Sequence, residues 1–243
     1  ETSESGDDPN DPDEPDDPDE PVVTDGDCYE LVTDASTLAA GDEILIAYVD
    51  AENQTYKAMS ATQNNNNRPA VDVTLNDDGT LTPGDDAQVI TLEKSGDNFL
   101  FNVGDEYLYA ASSSKNQLKT TATANDNAKA TISITEGDAT ITFQGSNERN
   151  IMRYNPNNGT PIFSCYSGTA TGSAPQIYRK IKAVSGDVDG DGTPDEKDLQ
   201  LLVNLLLGKT QGTCNADVDG DGEVSLKDVT KLVNIIRALN NQN

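Results

Sequence analysis

A mainly β domain followed by a small all-α unit, with a disordered linker in front, is the fold class that three observations predict. The first 27 residues are acidic and proline-rich and carry no basic side chain. Residues 28–182 are short β-branched stretches separated by Asn, Asp and Gly turns, and their pattern recurs about every 42 residues. Near the C-terminus the hexapeptide DVDGDG occurs twice, at 187–192 and 217–222, and each copy runs into an amphipathic stretch of helical period. The expected units are therefore 1–27, 28–182 and 186–240.

Residues 1–27 contain 13 acidic side chains and a proline every few positions (DDPNDPDEPDDPDEP). Such a segment cannot bury enough apolar surface to offset its ordering entropy, and self-repulsion with proline keeps it extended. It reads as a linker, with an acidic recognition tail as the alternative. The sequence opens on ETSESGDD with no signal segment, so removal of an export signal is the expectation. A lipid-modified cysteine or a catalytic domain upstream would fit such a linker equally well.

The middle unit is long enough for one domain with its own core. SGDNFLFNV and EGDATITFQG echo one another: Gly96 and Gly137 are 41 apart, and Phe101 and Phe143 are 42 apart. Before them lie QVITLE and ATISIT, with Ile90 and Ile132 again 42 apart. A shorter echo, QIYRK, puts Tyr178 46 residues beyond Ile132. A strand pair precedes each echo, opening at Tyr56, Leu108 and Ile151 and continuing in AVDVTL, QLKTTAT and PIFSCY. Three units of about four strands result, the last lacking one strand. The stretch EILIAYV, 43–49, is placed to supply it and close a ring. This arrangement resembles a β-trefoil; a plainer β-sandwich or open barrel is the alternative. The stretches QNNNNR, YLYAASSS and YSG also resemble a domain found beside secreted nucleases and surface proteins of gut Bacteroidetes, a likeness that implies no chemistry.

Each DVDGDG copy places carboxylates at loop positions 1, 3, 5 and 12: Asp187, Asp189, Asp191 and Asp198, then Asp217, Asp219, Asp221 and Asp228. A calcium ion takes six to eight hard oxygen ligands at about 2.3–2.6 Å, so a short loop must wind around it with alternate residues pointing inward. Gly192 and Gly222 stand at position 6, where the chain turns sharply. Position 7, Thr193 or Glu223, offers a backbone carbonyl, and position 9, Asp195 or Ser225, acts through water. Two copies in register, 30 residues apart, predict two calcium ions. The following stretches match across that shift: Leu199, Leu202, Val203, Leu205 and Leu206 against Val229, Leu232, Val233, Ile235 and Ile236. Gly208 is placed to stop the first helix. The runs before the loops, YRKIKAVSG and KTQGTCNA, are poor helices. An ordinary EF-hand has helices on both sides and Glu at position 12; here one helix follows each loop and position 12 is Asp.

That pattern, over 186–239, resembles a type I dockerin, the module by which secreted bacterial enzymes plug into cohesin domains of a scaffoldin. The resemblance implies a cohesin partner and recognition through loop positions 10 and 11 and the helices: Glu196, Lys197, Val203 and Asn204 in the first repeat, Leu226, Lys227, Val233 and Asn234 in the second. It also implies an apolar position 8 whose N–H bridges the loops. Val224 fits, but Pro194 has no N–H, which points to a weaker first site.

Charge excludes several functions. With 16 Lys+Arg against 43 Asp+Glu the net charge is −27, a balance that repels nucleic acid and anionic membranes. There is no histidine, which removes Ser/His/Asp triads, Cys/His pairs and most zinc sites. No apolar run is long enough for a transmembrane segment. Cys28 and Cys165 are expected to pair if their strands meet, leaving Cys214 free; three unpaired thiols are the alternative. A sugar platform would draw on Tyr107, Tyr109, Tyr154 and Tyr166 with Gln63, Asn67, Arg68, Asn147, Arg149 and Arg153. Tryptophan is absent and aromatics are only 5% of residues, which favours structural roles for them. The expectation is a non-catalytic extracellular or cell-surface assembly protein, a lipoprotein form included, that docks by calcium onto a cohesin. A lectin-like carbohydrate binder, or the C-terminal part of a polysaccharide-degrading hydrolase, is the alternative.

Overall fold

The computed structural model describes residues 27–76, 78–156, 159–168, 172–181, 184–210 and 215–241. The acidic linker therefore lies outside the described residues, apart from Asp27. A short strand β1 (Tyr29–Leu31) precedes a 3-10 turn at Ala35–Thr37. Then follow β2 (Glu43–Asp50), β3 (Thr55–Met59), β4 (Arg68–Leu75), β5 (Leu81–Pro83), β6 (Ile90–Ser95) and β7 (Asn98–Asn102). The sheet continues through β8 (Tyr107–Ala110), β9 (Leu118–Thr121), β10 (Ala130–Thr135), β11 (Asp138–Phe143), β12 (Ile151–Asn155), β13 (Ile162–Tyr166) and β14 (Gln176–Lys180). Two helices follow among the described residues, α1 (Glu196–Leu206) and α2 (Leu226–Asn240).

Six strands close on themselves. β2 pairs with β6, β6 with β7, β7 with β10, β10 with β11, β11 with β14, and β14 returns to β2 with Ile177 opposite Ile46. All of these pairings are antiparallel. Three hairpins, β3–β4, β8–β9 and β12–β13, stand between the ring strands. The third joins the first, with Phe163 opposite Arg68. The middle unit is thus a barrel-like β domain, and the stretch expected to close the ring does pair with β14.

Inward residues of the ring make the main core. Ile44, Ile46, Leu92, Phe101, Ile141, Phe143 and Ile177 are fully buried there. The Phe101 and Phe143 rings meet at 6.1 Å in a tilted contact, a favourable aromatic geometry. Strand β2 has a second task. Leu45 and Ala47, on its other face, pack with Tyr29, Val73, Leu81 and Tyr178 in a smaller core outside the ring. That core is enclosed by β1 and β5, which pair with each other and with β14 and β4. Alternate side chains of a strand point to opposite faces, so a strand with a core on each side must be apolar throughout. Hence the unbroken run ILIA in EILIAYV. At three residues each, β1 and β5 are too short to show a period in the sequence.

Cysteine placement corrects one expectation. Cys28 is disulfide-bonded, whereas Cys165 is a free thiol. Cys165 sits in the barrel core, where burial pushes its thiol far up. Cys28 lies instead at the outer edge beside Thr82 and Asn76. The two sulphurs therefore belong to different environments, and the proposed Cys28–Cys165 pairing does not form. Cys214 lies outside the described residues.

In the C-terminal unit the two helices pack through Leu202, Leu205, Leu232 and Ile236, with Val188 and Val218 from the loops. Val203, Leu206 and Val233, expected on the apolar faces, are half-buried and stand outside that packed set. α1 ends as expected at Gly208, whose φ of 64° suits a residue without Cβ. Its N–H donates to Leu205 O at 2.9 Å.

Replacing Phe143 by Ala is expected to cost about 3–5 kcal/mol, from lost burial and the cavity left behind. Thr140→Ala on the exposed face of the same strand should stay within about 0.5 kcal/mol. Urea unfolding of the two variants checks the difference.

Candidate metal centres in the two acidic loops

Each loop is wound by bonds from its own backbone to its own carboxylates. In the first, Asp187 Oδ2 accepts from Gly192 N at 2.9 Å, and Asp189 Oδ1 from Asp191 N at 3.0 Å. Asp191 Oδ1 accepts from Thr193 N at 3.0 Å. The second loop repeats this: Asp217 Oδ2 from Gly222 N at 2.8 Å, Asp219 Oδ1 from Asp221 N at 3.1 Å, Asp221 Oδ1 from Glu223 N at 3.1 Å. Gly192 and Gly222 take φ of 90° and 89°, and the glycines two residues earlier take 76° and 77°. Side chains with a Cβ are strained there, which explains the DGDG spelling.

This winding brings Asp187, Asp189 and Asp191 together, with one carboxylate oxygen of each within 4.8 Å of the others. It does the same for Asp217, Asp219 and Asp221. Position 12 is held alongside. Asp198 is fully buried, and its Oδ1 accepts from Val188 N and Asp189 N at 2.7 and 2.9 Å. Its Oδ2 accepts from Asp195 N at 2.7 Å. Asp228, equally buried, accepts from Asp219 N at 3.0 Å and Ser225 N at 2.7 Å.

These last contacts carry a signal that loop spacing alone does not. Asp195 and Ser225, at position 9, are the N-caps of α1 and α2, and Asp198 and Asp228 are the N3 residues of reciprocal capping boxes. A capping box satisfies two of the backbone donors that a helix start leaves free. One carboxylate therefore serves both the loop and the helix that follows.

The electrostatics are those of crowded anions. Desolvation, with the Asp198, Asp191 and Asp187 charges behind it, pushes the Asp189 carboxyl up against a lowering backbone bond from Asp191. A lysine at position 11 relieves each cluster from outside. Lys197 Nζ reaches Asp191 Oδ2 at 3.1 Å and Lys227 Nζ reaches Asp221 Oδ2 at 2.7 Å, and each holds its partner carboxyl below the usual range.

The donor set fits a hard divalent cation, since every gathered ligand is oxygen. Asp187 adds a specific mark. It is 1% exposed, and its Oδ1 is buried with no hydrogen-bond partner. A buried carboxylate oxygen costs free energy unless something pairs with it, and a cation among the three carboxylates would pair with it. Bound there, calcium would supply structural charge neutralisation.

The residues considered for a sugar platform are largely engaged within the fold, with Tyr107 and Tyr109 of β8 half-buried. Tyr154 and Tyr166 are buried. Tyr154 stacks on Tyr48 at 4.3 Å. Arg68 is buried too and donates to Ser60 O, Ala61 O and Gln88 Oε1. Gln63 donates to the carbonyls of Asn64, Asn67 and Leu118. Asn147 and Arg149 hold Ala110 O and Asn116 Oδ1. Arg153 sits on β12 opposite Ser164, and Tyr107 donates to Glu93. Most of these polar groups serve the fold.

Comparison with known proteins agrees on the C-terminal unit. The model of the dockerin type I domain family matches residues 185–237. No curated protein is significantly similar to the chain. A solved structure, the GlcNAcα1-4Gal-releasing endo-β-galactosidase from Clostridium perfringens, superposes with a TM-score of 0.39 at 14% identity. That superposition covers 56% of this chain and 32% of that one, a likeness too low to carry argument.

Asp187→Ala combined with Asp217→Ala is expected to abolish the calcium-dependent part of the helical circular dichroism signal, leaving about 55 residues unstructured through metal-coupled folding. A helical signal equal to wild type in that variant, with and without calcium, would refute the coupling.

Proposed function

We propose that this chain is a non-catalytic assembly protein that binds two calcium ions in its C-terminal unit and docks through that unit onto a cohesin domain of a scaffoldin. One observation carries the reading: two loops with the same hydrogen-bond pattern, each gathering three aspartates and each fused to a helix by a position-12 aspartate. The dockerin type I match over residues 185–237 supports it. The ligands are Asp187, Asp189, Asp191, Asp198 and the Thr193 carbonyl, with Asp195 through water, in the first loop. Asp217, Asp219, Asp221, Asp228, the Glu223 carbonyl and Ser225 act likewise in the second.

The cohesin-contact positions are Glu196, Lys197, Val203 and Asn204 with Leu226, Lys227, Val233 and Asn234. Burial supports this assignment. Leu226 is 76% exposed, an uncommon state for a leucine, and Val203 and Val233 are left out of the helical core. The units are 1–27 as linker, 28–182 as β-domain and 186–240 as docking module. Finer still, the β-domain is a β-trefoil. The six-strand ring and three intervening hairpins support this, since they alternate in the order such a fold requires. The β-domain is the cargo of docking. An extracellular or cell-surface setting is supported by the disulfide at Cys28, because disulfides persist in oxidising compartments. No described helix is long and apolar enough to cross a membrane.

Calorimetric titration of calcium into metal-stripped protein, followed by a panel of cohesins, tests this. Two ions and a cohesin complex that dissociates on chelation are expected. Leu226→Asp with Asn234→Ala should keep both ions yet weaken the complex about tenfold or more, as for residues central to an interface. Two ions with no cohesin binding across the panel would overturn the docking assignment, and fewer than two would overturn the calcium assignment.

A further inference from the structure

We propose that Lys197 and Lys227 are tethered competitors of calcium: each ammonium rests on an aspartate oxygen that its loop leaves for the metal, and metal uptake expels it onto the docking surface. The proposal rests on the calcium reading above and adds one residue to the working of each site.

The winding of the loops assigns the carboxylate oxygens. In the first loop Asp187 Oδ2, Asp189 Oδ1 and Asp191 Oδ1 each accept a backbone N–H. The opposite oxygens are then the ones a metal can take. Asp187 Oδ1 is buried without a hydrogen-bond partner. Asp191 Oδ2 instead receives Lys197 Nζ at 3.1 Å, and that ammonium also lies 3.8 Å from Asp195 Oδ2. The second loop is tighter. Asp217 Oδ2 accepts from Gly222 N, and its Oδ1 accepts from Gly220 N and Asp221 N at 2.7 and 3.2 Å. Asp221 Oδ1 accepts from Glu223 N, and its Oδ2 receives Lys227 Nζ at 2.7 Å. In both loops the lysine six residues on therefore holds the same oxygen of the position-5 aspartate.

A ligand oxygen lies about 2.3–2.6 Å from a calcium ion, so an ammonium kept on that oxygen would stand within about 6 Å of the ion. Like charges at that range repel strongly. The lysine can yield at small cost, because its stem is flexible and the Lys197 and Lys227 side chains are 69% and 67% exposed. It thus helps set the calcium concentration at which each loop fills. Lys197 also borders a cavity of about 540 Å³ with Glu196, Leu201 and Asn204. Once expelled, the ammonium stands among the positions assigned to the partner, where it suits a carboxylate.

Calorimetric titration of calcium into the metal-stripped full chain tests this with Lys197→Met, Lys227→Met and Lys231→Met. Lys231 is exposed, lies one turn beyond Lys227 on α2 and joins no ion pair among the described residues. Its variant therefore removes the same charge without freeing an oxygen. Lys197→Met and Lys227→Met should each tighten calcium binding about two- to fivefold, the range of an exposed ion pair, while Lys231→Met stays near wild type. Equal gains in all three, or no gain in the first two, would overturn the proposal while two bound ions left the calcium reading intact. Wild type that took up no calcium would overturn both. In a crystal structure of the calcium-loaded chain each Nζ should lie beyond about 4 Å from its position-5 carboxylate, the limit of an ion pair. An ammonium still on Asp191 Oδ2 or Asp221 Oδ2 beside a bound ion would overturn the displacement.

Discussion

The pairing of β14 with β2 is the contact on which the β-domain depends. Those strands are the two far ends of the barrel sequence, and their antiparallel register closes the ring. Ile46 and Ile177 face the inner core across that seam, while Leu45 and Tyr178 face the outer one. A register slip of one residue would exchange the faces of every side chain. Both cores would then receive the wrong set, so the seam is specified twice.

Much of this could be read in the chain and some could not. Twelve strand segments announced themselves through β-branched runs between Gly, Asp and Asn turns. The repeat was fainter than the architecture it encodes, and the ladders explain why. Phe101 lies opposite Leu92, but Phe143 lies opposite Ala130. One strand of the hairpin is thus shifted by 42 residues and its partner by 38, so no single offset superposes both. The turns differ as well: in the second hairpin Glu136 and Gly137 both take positive φ, the two-residue turn whose twist suits antiparallel strands. Strands β1 and β5 were invisible because their role is tertiary, to wall the outer core. The disulfide of Cys28 was unreadable for the same reason: spacing does not say which sulphur faces which core.

The acidic loops were the most legible part, since alternate aspartates and paired glycines have few other physical explanations. Less legible was what position 12 does for the helix. Asp198 and Asp228 close the loop and cap the first turn at once. Metal occupancy and helix nucleation therefore share one carboxylate. That sharing gives a physical reason why no preceding helix is needed to brace either loop among the described residues.

Strand β1 runs antiparallel to β14 with Tyr29 opposite Lys180, so the chain enters and leaves the β-domain at the same edge of one ladder. Consider a scaffold pulling on the helical unit while the N-terminal segment is anchored. Tension across that edge loads the hydrogen bonds one after another, as a zip opens, rather than all together. The bonded sulphur of Cys28 stands one residue outside the first pair of that zip.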